Sequence, residues 1–271
     1  MKIYKSTQTI DNYLNFDGYI FTQNKAEAEV MIIGGKPIDL DEFPSLKGIF
    51  KTGVGVDNLP FEEAKNRGIE IQLPSDKTRD IIYQETASFA LYSILKFVYR
   101  DTGTFSTWQK SNRKSLQAYE VLVMGTGKIG DKLVDRLSSL CKVTTYDPVN
   151  NTKEELDQLL CQADIVSLHM PLLPDTKHFF DQKRLALLKD GALLVNTARG
   201  PIVDEDALYQ ELINERINAA IDVFWQEPYE GKLSKIKTKN IMLTPHVAST
   251  CDEFLVGLAA DFLDFYTQLD R

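Results

Sequence analysis

Five side chains capable of ionic or acid–base chemistry stand where apolar runs end: His169 in SLHMP, Arg199 in NTARG, Asp222 in AAIDVF, Glu227 in FWQEP and His246 in LTPHVAS. A guanidinium left unpaired at the end of a buried run is destabilising by several kcal/mol, so Arg199 requires an anion, either the protein's own carboxylate or a ligand's. Taken singly, each of the five reads as structural. Together they make a set suited to proton transfer beside a bound anion. Arg199 can act as the two-toothed cation, His246 as proton donor, and Glu227 as the carboxylate that favours the charged imidazolium. His169 is expected instead to line a cofactor channel or to make a structural bond.

The segment VLVMGTGKIG indicates what stands beside them. It places Gly125, Gly127 and Gly130 directly after a predicted strand and at the start of a predicted helix. The first glycine permits a tight turn, the second lets the backbone approach a pyrophosphate, and the third lets helix and strand pack closely. The next strand ends TTYDP, with Asp147 about 20 residues on, where a carboxylate accepts hydrogen bonds from ribose hydroxyls. That carboxylate would repel a 2′-phosphate and no arginine follows it in PVNNTKEE, which favours NAD over NADP. Beside a nicotinamide, the cation, donor and tuning carboxylate meet the needs of 2-oxo acid reduction.

These residues need strand ends to stand on. From position 121 short β-rich runs alternate with amphipathic ones: VLVM then 129–140, KVTTY then 154–160, DIVSL then 182–188, ALLVN then 204–215, and finally AAIDVF and NIMLT. That alternation predicts a doubly wound parallel sheet with helices on both faces. Ile129, Leu133, Val134, Leu137 and Leu140 recur at helical spacing, and Asp204 is placed to cap a helix with Val203 stapled onto Leu208. A similar alternation comes earlier, with strands in AEVMIIG, KGIFKT and IEIQL and a helix from Pro60 to Arg67 that Gly68 stops. A long apolar helix is expected over 86–98, and Phe254, Leu258, Phe262, Tyr266 and Leu269 mark a terminal helix that needs a partner. The fold class is therefore α/β with two Rossmann-like doubly wound domains and a cleft between them. The smaller, discontinuous substrate domain takes residues 1–95 plus 249–271, and the NAD-binding domain takes 96–248. The polar stretch 101–114 reads as an exposed loop.

Composition narrows the partners. A length of 271 residues fits two interleaved domains, and a net charge of -8 disfavours nucleic acid or an anionic membrane as the main partner. Cys141, Cys161 and Cys251 lack metal-like or CxxC spacing and read as reduced thiols. No apolar run reaches the ~20 residues of a membrane span, and MKIYKSTQTI lacks the apolar block of a signal peptide. A soluble, cytoplasmic protein with a small diffusible ligand and no metal is expected.

The chain resembles the D-isomer-specific 2-hydroxyacid dehydrogenases, the family of phosphoglycerate, glycerate and D-lactate dehydrogenases, through KTGVGVDNL, GTGKIG, ADIVSLHMPLLPDT, LLVNTARGPIVDEDAL, AAIDVFWQEP and LTPHVAST. The resemblance implies a catalytic triad of Arg199, Glu227 and His246. It implies that Asp222 contacts the nicotinamide carboxamide and that backbone amides around Gly53, Val54 and Gly55 hold the substrate carboxylate. The implied cofactor positions are Gly125, Gly127, Lys128, Ile129, Gly130, Asp147, His169, Pro171, Thr197, Ala198 and Asp222. The implied activity is NAD-dependent interconversion of a small D-2-hydroxy acid and its 2-oxo acid. The alternative is a non-catalytic NAD(H)-binding sensor or scaffold on the same fold, against which the intact triad speaks. A homodimer is the candidate assembly, although the segment 100–120 looks shorter than the family's usual dimerisation arm.

Overall fold

Runs such as VMII, IVSL and LLVN lack polar alternation, so they must be covered on both faces, and a parallel sheet between helices does that. In the computed structural model, which describes residues 1–148 and 150–271, such runs build two parallel sheets in two units: Met1–Ile82 with Thr250–Arg271, and Tyr83–Ser249.

In the smaller unit, β1 (Lys2–Lys5), β2 (Ile20–Phe21), β3 (Val30–Ile33), β4 (Gly48–Lys51) and β5 (Glu70–Gln72) pair in the order β2-β1-β3-β4-β5, all parallel. One face packs Ile3, Val30, Ile32 and Phe50 against Phe254, Leu258, Phe262 and Phe265 of the C-terminal helix Asp252–Leu269. The other packs Met31, Ile33 and Ile49 against Leu40, Phe43 and Ala64, the last from α1 (Phe61–Asn66). Gly48 is required where the terminal helix crosses β4, because a Cβ there would meet Leu269 and Phe265.

The helix expected over 86–98 begins earlier: α2 spans Asp76–Val98. Its polar first turns are fixed by Ser75, whose carbonyl accepts from Arg79 N–H at 2.8 Å and whose own N–H donates to Asp261 Oδ2 at 2.8 Å. The boundary expected at 95/96 therefore falls at 82/83. The physical reason is that Ala87, Ala90, Ile94 and Val98 pack with Val121, Val123, Leu133 and Ile165 of the larger unit.

After α2 the larger unit continues with an exposed hairpin, β6 (Gly103–Thr104) and β7 (Gln109–Lys110), within the stretch expected to be a loop. There follow β8 (Glu120–Met124), α3 (Lys128–Leu137), β9 (Lys142–Tyr146), α4 (Lys153–Gln162), β10 (Ile165–Leu168), α5 (Gln182–Leu187), β11 (Leu193–Asn196), α6 (Glu205–Ile213), β12 (Asn218–Ile221) and β13 (Ile241–Leu243). The six main strands pair in the order β13-β12-β11-β10-β8-β9, all parallel. Asp204 accepts from Ala207 N–H at 2.8 Å to cap α6. Thr152 and Glu155 form a reciprocal capping box on α4.

Register in this sheet positions the chemistry. Tyr146, Met124, Leu168, Asn196, Ile221 and Leu243 form one row across six strands. The next residue on each chain is Asp147, Gly125, His169, Thr197, Asp222 or Thr244, so the carboxyl edge of the sheet carries one row of polar or glycine positions. That edge is where doubly wound sheets bind ligands.

Candidate active site

The glycine turn after β8 meets its three requirements separately. Gly125 has φ +93°, and a Cβ on it would lie 2.8 Å from the His169 carbonyl carbon, where the β8 and β10 loops touch. Gly130 seats α3 on the turn, since a Cβ there would collide with the Gly125 carbonyl. Gly127, the N-cap of α3, would meet nothing within 4 Å and makes no side-chain cap bond. An open glycine at a helix N-terminus fits a pyrophosphate. Asp147 Oδ2 accepts from the N–H and hydroxyl of Thr126 at 3.1 and 3.2 Å, which fixes the carboxylate beside the turn. The residues present thus fit a dinucleotide, with Lys128 and Ile129 in the first turn of α3.

On the other half of the sheet, the ends of β11, β12 and β13 bring Arg199, Glu227 and His246 into one region. Asn196, at the buried end of β11, folds the TARG turn by accepting from Ala198 N–H at 3.0 Å and donating to the Arg199 carbonyl at 2.9 Å. Gly200 lets this turn lie on the Glu227 loop, because a Cβ would stand 2.6 Å from Trp225 N. Glu227 accepts from Phe224 N–H through Oε1 at 3.0 Å, and its Oε2 lies 2.8 Å from His246 Nδ1. Both side chains remain substantially open, 37% exposed for Glu227 and 45% for His246, so a small molecule can reach them.

Asp222 is 1% exposed and holds the histidine loop in place. Its carboxylate accepts from Thr244 Oγ1 at 2.6 Å and from the N–H groups of Val247 and Ala248, each at 2.9 Å. The carboxylate that the resemblance assigns to a nicotinamide contact is thus also the anchor of the β13 loop. Burial pushes the Asp222 carboxyl above its ordinary value, against these three bonds and the attraction of His246. At Glu227 burial acts in the same sense, but the bond and charge of His246, the Phe224 N–H and the Arg199 charge outweigh it and hold the carboxyl below its ordinary value.

His169 makes a structural bond, with Nε2 2.8 Å from Ser167 Oγ. Burial pushes it down to about 4, so it is neutral at physiological pH. Pro171 follows it in the same loop, its carbonyl accepting from Thr176 Oγ1 at 2.7 Å. Thr197 is buried and its Oγ1 lacks a hydrogen-bond partner among the described residues, while Ala198 is half-buried against the main core of the unit. Gly53, Val54 and Gly55 belong to the smaller unit, in the loop after β4. There the buried Lys51 ammonium donates to the Gly34 carbonyl at 2.6 Å and to Asn58 Oδ1 at 2.7 Å, tying that loop to the one after β3. Asn196, Thr244 and Ser167 were not legible as site residues, although an asparagine closing the buried LLVN run was an available signal.

The family model described as the D-isomer specific 2-hydroxyacid dehydrogenase, NAD binding domain, matches residues 94–248. The chain is 31% identical over 227 residues to the hydroxypyruvate reductase of Thermotoga maritima, covering 77% of this chain and 72% of that protein. It is 34% identical over 252 residues to the glyoxylate reductase of Thermofilum pendens, covering 85% and 71%. Its fold matches the D-lactate dehydrogenase of Aquifex aeolicus, solved with NAD and lactic acid, with a TM-score of 0.81 at 25% identity over 98% of this chain and 94% of that one. The chain belongs to the D-isomer specific 2-hydroxyacid dehydrogenase family, a family of NAD-dependent oxidoreductases.

Two outcomes are expected. Gly130→Ala should lose roughly 1–3 kcal/mol of stability through overpacking, whereas Gly127→Ala should melt near wild type and bind NADH less tightly. Thermal denaturation with NADH titration separates the two; equal melting temperatures would contradict the assigned roles. For His169, the unfolded chain takes up a proton near 6.5 and the folded one only near 4, so stability falls as pH drops through that window. His169→Gln should therefore flatten the fall, which is at most about 1.4 kcal/mol per pH unit for one group. Urea denaturation at successive pH values checks this, and an unchanged slope would refute it.

Proposed function

We propose that this chain interconverts a small D-2-hydroxy acid and its 2-oxo acid with NAD, through Arg199, Glu227 and His246. The observation that carries the reading is the 2.8 Å contact between His246 Nδ1 and Glu227 Oε2 on the edge that also bears Arg199. When bound, the nicotinamide supplies a hydride to the substrate's C2 or accepts one from it. Arg199 pairs with the substrate carboxylate and polarises the carbonyl through its planar fork. His246 donates Nδ1–H to Glu227, which leaves Nε2 to give a proton to the carbonyl oxygen in reduction and to take one from the hydroxyl in oxidation. Glu227 fixes the ring and stabilises the imidazolium.

The relatives named for hydroxypyruvate and glyoxylate favour a short, unbranched 2-oxo acid as substrate. Among the described residues no helix is long and apolar enough to cross a membrane, and the three cysteines form no disulfide. A cytoplasmic location is part of this reading. So is a homodimer, supported by the β6–β7 hairpin, which leaves Phe105 86% and Trp108 77% exposed.

The test is NADH oxidation with glyoxylate, hydroxypyruvate and pyruvate; tight NADH binding with no turnover of any 2-oxo acid would sink the reading. Arg199→Ala should fold and lose most activity, and Arg199→Lys should be nearly as poor because a point charge lacks the fork. Glu227→Gln withdraws the charge that favours the imidazolium. Reduction needs the protonated ring, so its alkaline limb should move to lower pH. Oxidation needs the neutral ring, so its acid limb should move the same way. Profiles that overlay wild type after scaling, with chemistry rate-limiting, would remove Glu227 and His246 from the acid–base role.

A further inference from the structure

Glu227 lies between the exposed residues Gln226 and Pro228, so its own neighbours in the chain give it no packed core to rest on. Its two oxygens nonetheless reach Phe224 N–H and His246 at hydrogen-bond distance. What holds the turn is at its ends. The rings of Phe224 and Tyr229 stack with centroids 4.4 Å apart and planes 20° apart, closing the loop that carries Glu227. Trp225 Nε1 donates to the Val203 carbonyl at 2.8 Å, just before the cap of α6. The Tyr229 hydroxyl donates to Glu205 Oε1 at 2.6 Å in the first turn of α6 and accepts from Leu233 N–H at 3.0 Å. Leu233 is fully buried, and the chain returns over the phenol ring so closely that a Cβ on Gly231 would strike it.

We propose that Tyr229 is a positioning residue for the reaction: it closes the 224–229 turn on Phe224, anchors it to α6, and thereby holds the Glu227 carboxylate in register with His246. This inference rests on the proposed function. The physical basis is the narrow range of a useful hydrogen bond. A displacement of about 1 Å would take the 2.8 Å contact out of it, and misplacements of that size lower rates by up to ~10². Stack and hydroxyl have separable parts: the ring fixes the width of the turn, and the hydroxyl fixes where the closed turn sits on α6.

The experiment is a double-mutant cycle between Tyr229→Leu and Glu227→Gln, read as kcat for reduction, pH profile and KM for NADH, with folding checked by circular dichroism. Tyr229→Leu is expected to lower kcat on the order of 10-fold, to move the alkaline limb in the direction that Glu227→Gln moves it, and to leave the KM for NADH in place. In the Glu227→Gln background Tyr229→Leu should change kcat and limb little further, because the positioned group is already altered. Equal losses in both backgrounds, or a folded Tyr229→Leu enzyme with the wild-type profile, would overturn the inference while leaving the proposed function standing. A wild-type profile for Glu227→Gln itself would overturn both. If Tyr229→Leu does not fold, Tyr229→Phe decides: a partial displacement of the limb supports positioning through the hydroxyl, and an unmoved limb overturns it.

Discussion

The site depends on the register of the six-stranded sheet. Parallel pairing aligns Tyr146, Met124, Leu168, Asn196, Ile221 and Leu243 in one row, and backbone bonds carry the alignment one residue further. Gly125 N–H donates to the Tyr146 carbonyl at 2.8 Å, His169 to Met124 at 2.7 Å, Asp222 to Asn196 at 3.0 Å and Thr244 to Ile221 at 3.1 Å. A one-residue slip in any strand would turn its buried side chains to the wrong face, so hydrophobic burial itself fixes where each polar terminal residue stands. Chemistry at the edge inherits its placement from the core.

Beyond that edge the placement is made by loops leaning on one another. Asp222 binds the β13 loop, Asn196 folds the arginine turn, and Gly200 lets that turn touch the backbone at Phe224 and Trp225. The Asp222 and Gly200 contacts join neighbouring strand ends and the Asn196 bonds fold a single turn, so Arg199, Glu227 and His246 are placed by groups other than themselves. Much of this support is polar and buried, which makes it sensitive to loss of any one partner.

The sequence disclosed the parts whose cause is local. VMII, IVSL and LLVN announce strands because burial on both faces leaves no room for polar alternation. Gly125, Gly127 and Gly130 announce a glycine turn of the phosphate-binding type, in which Gly125 and Gly130 avoid backbone clashes and Gly127 leaves the start of α3 open. The sequence concealed β1, whose KIYK alternates lysine with apolar residues and which pairs with β3, and the two-residue β2, which pairs in turn with β1. The start of α2 was hidden because Asp261, nearly two hundred residues away in the chain, secures it. Arg199, Glu227 and His246 could be named from type and context. That Glu227 and His246 touch, and that Asp222 holds their loop, depends on spatial contacts no spacing rule conveys.

His246 has φ +54°, a left-handed backbone that a β-carbon makes unfavourable by about 1 kcal/mol or more. The Asp222 bonds to the two residues that follow outweigh that penalty and keep the ring turned toward Glu227. A glycine or asparagine would adopt the same conformation more comfortably, so under the proposed function heat tolerance and turnover would make opposite demands on this position. A lineage selected for endurance alone, freed from its chemistry, would be expected to give up this histidine early and to keep the rest of the fold.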